Sequence, residues 1–398
     1  MIESVVISNE RKIVFLILDG LGDIPDKRYN DKTPLEVAKK PNIDSLSLEF
    51  GILGRIIPVE IGITPGSGPA HLSLFGYDPL KHEIGRGVLE ALGLDMELKE
   101  GDLAARANFC TVQAGIVIDR RAGRLSTEET RRICAMISEE VRKLDGIEVI
   151  IKPGKSHRFV VLFRGKDLSD RLTDADPHKD GLPYIYPQPK EKEAEFTAKI
   201  VKEFLFRAQK VLSHEKTANG ILLRGFSMMP KLTPFKEKYM MGAASICTYP
   251  MYRGISRILG MEVLGNPTTK DEIVSLLKDN FGNYEFFFIH VKETDTAGED
   301  GNFEEKTKVI EEVDKLVPEI WELKPDVMVI TGDHSTPCLL KGHSWHPCPI
   351  LILSRYGERD RLEFHEKNCL RGSIGTIYSK NLMNLVLAMS AKLDKFGA

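Results

Sequence analysis

Three apolar runs, each ending in polar residues that can do chemistry, restrict what this chain can fold into. Ile13-Val14-Phe15-Leu16-Ile17-Leu18 is followed at once by Asp19-Gly20. Phe286-Phe287-Phe288-Ile289-His290-Val291 leads to Asp295, and Val327-Met328-Val329-Ile330 leads to Thr331-Gly332-Asp333-His334. Continuous β-branched and aromatic runs of this kind suit parallel strands covered on both faces by helices. Ligands of open α/β sheets collect beyond the carboxyl ends of the strands, so these polar residues are predicted to converge. The bracketing helices are readable as well. Thr33-Pro34-Leu35-Glu36 opens one with a cap and a proline at the first helical position. Another is predicted over 303–322, with Val309, Val313, Leu316 and Ile320 on one face.

A chain of 398 residues is too long for one ordinary domain. The texture changes over 93–229, where strand-like Glu148-Val149-Ile150-Ile151 and Arg158-Phe159-Val160-Val161-Leu162-Phe163 alternate with helical stretches near 127–144 and 191–212. That alternation predicts an inserted α+β domain at 93–229 within a discontinuous α/β core of 1–92 and 230–398. With 42% apolar and 28% charged residues the chain can bury a core, which argues against disorder. The net charge of −3 speaks against a broadly basic nucleic-acid surface, while leaving room for a local cationic pocket. No apolar run approaches the roughly 20 residues that span a bilayer, and residues 1–11 lack the order of a signal peptide. The expectation is a soluble cytoplasmic protein without membrane or nucleic-acid partners. The six cysteines are scattered with no CxxC pair, so reduced buried thiols are expected; Cys338 and Cys348 are the two placed to be soft ligands.

Alone, Asp19 reads as a helix cap and His343 as a structural histidine. Taken together, Asp19, Asp295, Asp333, His334 and His343 form an oxygen-and-imidazole donor set suited to Mn²⁺ or Zn²⁺, with Mg²⁺ less natural where histidine contributes. A second signal is Thr64-Pro65-Gly66-Ser67-Gly68-Pro69-Ala70-His71, in which Ser67 sits between glycines at the start of an apolar helix. A hydroxyl there lies where the dipole favours an anion, although an ordinary serine N-cap reads equally well on this stretch alone. Serine needs a base or metal to become a nucleophile, and a two-metal site would supply both activation and a phosphoryl clamp.

The motifs Leu18-Asp19-Gly20, Gly66-Ser67-Gly68 with His71 through Pro79, Arg86 through Gly93, Asp119 through Arg124 and Thr331 through Pro337 occur in one order. Over nearly its whole length the chain resembles the archaeal-type, cofactor-independent (2,3-bisphosphoglycerate-independent) phosphoglycerate mutases of the alkaline phosphatase superfamily. The resemblance implies an alkaline-phosphatase-like α/β core, its mostly parallel sheet covered by helices on both faces, plus the inserted α+β domain. It also implies interconversion of 3- and 2-phosphoglycerate through a phosphoserine at Ser67, without 2,3-bisphosphoglycerate, in glycolysis and gluconeogenesis. Two divalent ions are implied, Mn²⁺ foremost with Mg²⁺ or Zn²⁺ as alternatives. One would be held by Asp19, Ser67, Asp333 and His334. The other would be held by Asp295, a histidine four residues later, and His343. Here the sequence departs from the family, because Glu299 occupies that histidine position. Glutamate can ligate Mn²⁺ through oxygen, giving a harder and more negative site, with water or Asp300 as the alternative.

A small phosphorylated acid needs concentrated cationic donors, and arginine forks suit carboxylate and phosphate. On the insert these are Arg120, Arg121, Arg124 and Arg224 for substrate, with His157 and Arg158 assigned to catalysis. Asp174 and Asp176, beside His178, are candidates for proton transfer or merely loop-forming residues. The rivals are a metal-dependent phosphatase using the same serine and a non-catalytic, metal-stabilised relic. The arginine-bearing insert argues for the mutase, and intact Ser67 and Asp333-His334 argue against the relic. A homo-oligomer stays open.

Overall fold

The three apolar runs become neighbouring strands of one sheet in the computed structural model, which describes residues 4–82 and 84–397. Ile13–Leu18 lies between Phe286–Val291 and Val327–Thr331 and is parallel to both, with Ile13 opposite Phe286 on one side and Val327 on the other. Equal starting registers bring the three carboxyl ends out side by side. The described residues extend this sheet to eight strands, in the order Glu262–Val263, Ala243–Cys247, Phe286–Val291, Ile13–Leu18, Val327–Thr331, Cys348–Ser354, Gly51–Ile57, Gly375–Tyr378. Among the pairings, Cys348–Ser354 alone runs against its neighbours. Every residue of Ile13–Leu18, Phe286–Val291 and Val327–Thr331 is buried, although successive side chains point to opposite faces. Both faces are therefore covered, as the unbroken apolar runs predict.

The chain divides into two compact units, Met1–Glu83 with Leu232–Ala398, and Ile84–Lys231. The second unit begins nearer the N-terminus than the change of sequence texture at 93. The reason is the helix Arg86–Gly93, which packs on the strands Leu103–Gln113 and Gly220–Met228. Its Gly87 rides so close that an added Cβ would come within 2.2 Å of the Ala104 carbonyl oxygen. Leu103–Gln113 is central to this unit's antiparallel sheet, pairing with Arg158–Arg164, Gly220–Met228 and Ile116–Asp119. Helices Thr127–Glu140 and Glu195–Val211 close its core with Ile133, Ile137, Phe204 and Leu205 against Phe159 and Phe163.

One helix differs from expectation. The stretch 303–322 is two helices, Phe303–Asp314 and Val317–Glu322, although Val309, Val313, Leu316 and Ile320 are all buried. Pro318 has no N–H to continue the first helix and is instead seated in the first turn of the second.

The Thr33 cap forms with a reciprocal pair: Glu36 N–H donates to Thr33 Oγ1 at 3.1 Å and Thr33 N–H to Glu36 Oε2 at 3.0 Å. The Thr33 hydroxyl then donates to Glu366 Oε2 at 2.6 Å, while Glu366 Oε1 is buried without a partner. Burial pushes the Glu366 carboxyl up to about 7, the Thr33 hydroxyl opposing it only in part. A carboxyl whose folded pKa lies above its unfolded value favours folding while protonated, so its contribution is full below about 4.3 and is lost as pH rises towards 7. Glu366→Gln is therefore expected to leave stability unchanged near pH 4 and to raise it above pH 7, by up to about 3 kcal/mol. Denaturant unfolding of both proteins at the two pH values checks this.

Candidate metal centre

Asp19 follows the central strand directly, and its two oxygens have different surroundings. Oδ2 accepts from the Tyr252 hydroxyl and is 3.0 Å from Lys292 Nζ and 3.3 Å from His290 Nε2. Oδ1 is buried, makes no hydrogen bond among the described residues, and stands 3.3 Å from His334 Nε2. Asp333 repeats the pattern. Its Oδ1 accepts from Gly20 N–H at 3.1 Å, whereas Oδ2 has no hydrogen bond and lies 3.2 Å from His334 Nε2. Burial and each other's charge should drive such carboxyls up. His290 and Lys292 nonetheless bring Asp19 below its ordinary value, and His334 and His71 bring Asp333 well below its own.

The imidazole protons are set by what their Nδ1 atoms meet. The Thr336 hydroxyl donates to Asp295 Oδ1 at 2.5 Å, so its oxygen can only accept from His334 Nδ1, 3.1 Å away. His343 Nδ1 donates to the Pro65 carbonyl at 2.9 Å. In its neutral form each histidine then presents a bare Nε2, the arrangement in which imidazole serves as a metal ligand. Their rings stack with centroids 3.7 Å apart, and His343 Nε2 is 3.5 Å from Asp295 Oδ1. Two donor groups result, Asp19 with Asp333 and His334, and Asp295 with His334 and His343, the ligand atoms of each lying within 4.8 Å of one another. His334 belongs to both. Orphaned buried oxygens facing free imidazole nitrogens are the pattern that a divalent cation completes, so the residues fit such an ion.

Gly66, in extended backbone conformation, caps the helix Ser67–Leu74, so Ser67 is the first helical residue rather than the cap. Its hydroxyl is not used in capping and faces the site, with Oγ 3.4 Å from His334 Nε2 and the Tyr252 hydroxyl as a second neighbour. One turn on, His71 Nδ1 is 2.8 Å from the Ser67 carbonyl and 3.2 Å from Asp333 Oδ2, tying the serine's helix to the carboxylate. Burial opposes charge on His71, but Asp333 outweighs it and raises its pKa. Glu299 is one turn from Asp295 on the helix Glu293–Asp300, half exposed, with Oε1 3.9 Å from His343 Nε2. Cys338 and Cys348 are in neither donor group among the described residues. Burial pushes both thiols up to about 12, so they remain protonated and poor ligands.

Sequence reasoning passed over His71, Tyr252, His290, Lys292 and Thr336. Lys292 spans Asp19 and Asp295, 2.5 Å from the latter's Oδ2. Burial opposes its charge, yet the two carboxylates raise its pKa. The available signal was position, since His290 and Lys292 flank the carboxyl end of a predicted strand.

The inserted unit carries its own cationic group. Arg120 gives its fork to Asp176, at 2.9 and 2.7 Å, and Arg121 and Arg124 are exposed on a turn that wraps the Asp119 carboxylate. The more secluded arginines are Arg106, Arg158 and Arg224, each with a buried Nε that makes no hydrogen bond. Burial lowers Arg106 to about 10; Glu90 opposes this, and Arg224, Arg158 and Arg86 add to it. Burial and then Arg158, Arg121 and Arg106 take His157 down to about 4, leaving it neutral at pH 7. Arg106 was missed because nothing in its strand Leu103–Gln113 marks it as more than an outward-facing charge. Asp176 is held as a carboxylate, burial being outweighed by Arg120, and Asp174 accepts from Gly225 N–H at 2.9 Å. Both aspartates thus have structural partners.

Fold and site together define a class: a mostly parallel α/β protein with a serine at a helix start beside two donor groups that fit divalent cations. A family model described as 2,3-bisphosphoglycerate-independent phosphoglycerate mutase matches residues 49–218. A probable 2,3-bisphosphoglycerate-independent phosphoglycerate mutase of Thermotoga neapolitana is 50% identical over 398 residues, covering 100% of this chain and 98% of its own. That of Aquifex aeolicus is 46% identical over 411 residues, covering 100% of both. The solved cofactor-independent phosphoglycerate mutase from Thermoplasma acidophilum superposes with a TM-score of 0.74 at 30% identity, covering 96% of this chain and 100% of that one. The chain belongs to the 2,3-bisphosphoglycerate-independent phosphoglycerate mutases, a family of isomerases. No described helix is long and apolar enough to cross a membrane.

His334 is within reach of both donor groups, but its Nε2 has a single lone pair, so His334→Ala, like Asp333→Asn, is expected to weaken Mn²⁺ binding at one site, the one that Asp19 shares. Calorimetric titration of the metal-stripped protein reads this directly. Loss at both sites in either variant would show that the groups are not separate.

Proposed function

We propose that this chain interconverts 3-phosphoglycerate and 2-phosphoglycerate through a phosphoserine at Ser67, without 2,3-bisphosphoglycerate, in cytoplasmic glycolysis and gluconeogenesis. The observation that carries the reading is the Ser67 hydroxyl 3.4 Å from His334 Nε2, an atom that is itself 3.3 Å from Asp19 Oδ1 and 3.2 Å from Asp333 Oδ2, two carboxylate oxygens without a hydrogen bond. Asp19, Asp333, His334 and Ser67 would hold one divalent ion, and Asp295, His343 and Glu299 the other, with His334 within reach of both. When bound, such ions lower the pKa of a hydroxyl and neutralise the oxygens of a phosphoryl group. Mn²⁺ suits the mixed oxygen and imidazole donors best.

Ser67 Oγ attacks phosphorus as it loses its proton, the bond to the 3-oxygen breaks, and that oxygen takes up a proton as glycerate is released from phosphorus. Glycerate then reorients, its 2-hydroxyl loses its proton and attacks the phosphorus of the phosphoserine, the Ser67 Oγ–P bond breaks, and the departing Oγ takes up a proton. His71 holds the serine helix against Asp333 throughout. Lys292, at the mouth of Asp19 and Asp295, supplies positive charge against an incoming phosphate. On the inserted unit, Arg106, Arg158 and Arg224 are secluded cations suited to the carboxylate and phosphate of the substrate, with neutral His157 as a hydrogen-bond partner for a glycerate hydroxyl. Arg120, with its fork already engaged, acts by fixing Asp176 beside Arg224.

Ser67→Ala is expected to reduce mutase activity to background while leaving thermal unfolding nearly unchanged, since Gly66 and not the serine side chain caps the helix. The assay follows 2-phosphoglycerate and free phosphate separately, with Mn²⁺ and no added bisphosphoglycerate. Phosphate release in place of 2-phosphoglycerate would favour the phosphatase, and a retained rate in the alanine variant would move the nucleophile elsewhere.

Glu299→Ala is expected to weaken Mn²⁺ at the Asp295 site. Glu299→His should retain activity and shift preference towards Zn²⁺, imidazole being the softer donor. Competitive metal titration of the three proteins measures both effects. Unchanged affinity in the alanine variant would leave Glu299 as a surface residue.

A further inference from the structure

Tyr252 is fully buried in a place where a tyrosine has no packing advantage over phenylalanine unless its hydroxyl is used. It is the third residue of the helix Pro250–Ile258, which leaves the strand Ala243–Cys247. Cys247 is opposite His290 on the neighbouring strand, so Tyr252 and His290 reach the carboxyl end of the sheet together. Their rings stack, with centroids 3.6 Å apart and planes 28° from parallel, and the His71 ring lies 4.7 Å from Tyr252 on another side. Held in this way the phenol points into the site, where its hydroxyl donates to Asp19 Oδ2 and has the Ser67 hydroxyl as a neighbour.

We propose that Tyr252 is a positioning residue that occupies one oxygen of Asp19 and so aims the other, Oδ1, at the divalent ion beside Ser67. Oδ2 has Tyr252, Lys292 and His290 around it and accepts from Tyr252, whereas Oδ1 accepts no hydrogen bond and has His334 Nε2 3.3 Å away, an asymmetry that a freely rotating carboxylate would not keep. Of the three, Lys292 is shared with Asp295 and carries a charge that repels a cation. A phenol is neutral, so it can stay on Oδ2 when the ion arrives. It also restricts Asp19 to one-oxygen ligation, which leaves coordination positions for the serine and for phosphate.

The inference rests on the metal reading given under Proposed function, and the test separates the two. Metal-stripped protein is titrated with Mn²⁺ and the free ion is followed by electron paramagnetic resonance, with two classes of site fitted. Tyr252→Phe keeps the ring on His290 and removes only the hydroxyl. One class should weaken about ten- to hundred-fold, the range for a hydrogen bond to a charged group, with the other unchanged. Turnover should fall while KM for 3-phosphoglycerate stays within about twofold, because the lost contact acts on the ion and not on substrate binding. If Tyr252 acts through Asp19, the double variant with Asp19→Asn should bind Mn²⁺ no more weakly than Asp19→Asn alone. Wild-type affinity in Tyr252→Phe, or additive losses in the double variant, would overturn the proposal. If Asp19→Asn itself left both classes unchanged, the metal assignment would fail, and the role of Tyr252 with it.

Discussion

Carboxylate burial is the constraint from which the rest of this site follows. Asp19, Asp295 and Asp333 are fully excluded from solvent because each is carried at or just beyond the end of a strand that is itself core. An isolated ionised carboxylate in such a place would take up a proton rather than stay charged. Here each is instead surrounded by donors of graded strength: a main-chain N–H, a phenol, a hydroxyl, a lysine and several imidazoles. The donors fall short of the lone pairs, and the shortfall is localised on Asp19 Oδ1 and Asp333 Oδ2. A centre built this way is stable enough to fold yet remains electrostatically incomplete, and that incompleteness is what a divalent ion answers.

Keeping those oxygens in place requires that the loops carrying them do not relax. Lys306, completely buried, donates to Gly22 O at 3.2 Å, Asp23 Oδ2 at 2.9 Å and Thr336 O at 2.9 Å, and so ties the loop after the first strand to the one after Asp333. Cys338 N–H adds a contact to Asp23 Oδ2 at 3.1 Å. The close approach is visible at Gly20, which has φ +63° and whose absent Cβ would lie 2.4 Å from Thr336 Oγ1. Glycine at 20 is thus required twice over, by backbone conformation and by the hydroxyl that orients both Asp295 and His334. Strand register sets the distances between ligands, and these loop contacts hold them.

The strands, the covered sheet and the convergence of Asp19, Asp295, Asp333 and His334 beyond its carboxyl ends were legible because each rests on a local signal: an apolar run with a donor residue at its end or a few positions on. The arginine group of the inserted unit was legible only in part. Sequence crowding drew attention to Arg120, Arg121 and Arg124, but crowding in sequence places charges on one turn, and turns are exposed. Arg106 and Arg224 are 118 positions apart and become neighbours because their strands pair, Arg106 opposite Arg224. No spacing rule reaches across such a pairing. Tyr252 was invisible for a related reason: in sequence it is an aromatic residue on an amphipathic helix, and its role depends on an oxygen contributed by residue 19.

Glu299 can be understood on the same electrostatic grounds. Replacing a neutral imidazole by a carboxylate adds negative charge to a centre already rich in it, and at Asp19 or Asp333 depth that addition would be severe. The side chain of Glu299 is 54% exposed, whereas those of Asp295 and His334 are wholly buried. Its charge is therefore largely solvated when the site is empty, and it needs little desolvation to approach an ion from the rim. If Glu299 serves as the proposed ligand, the departure from the family pattern falls where an extra charge costs little. Because His334 is common to the two donor groups, added negative charge on the Asp295 side would also reach an ion held beside Ser67, strengthening its retention while moderating its pull on the serine hydroxyl.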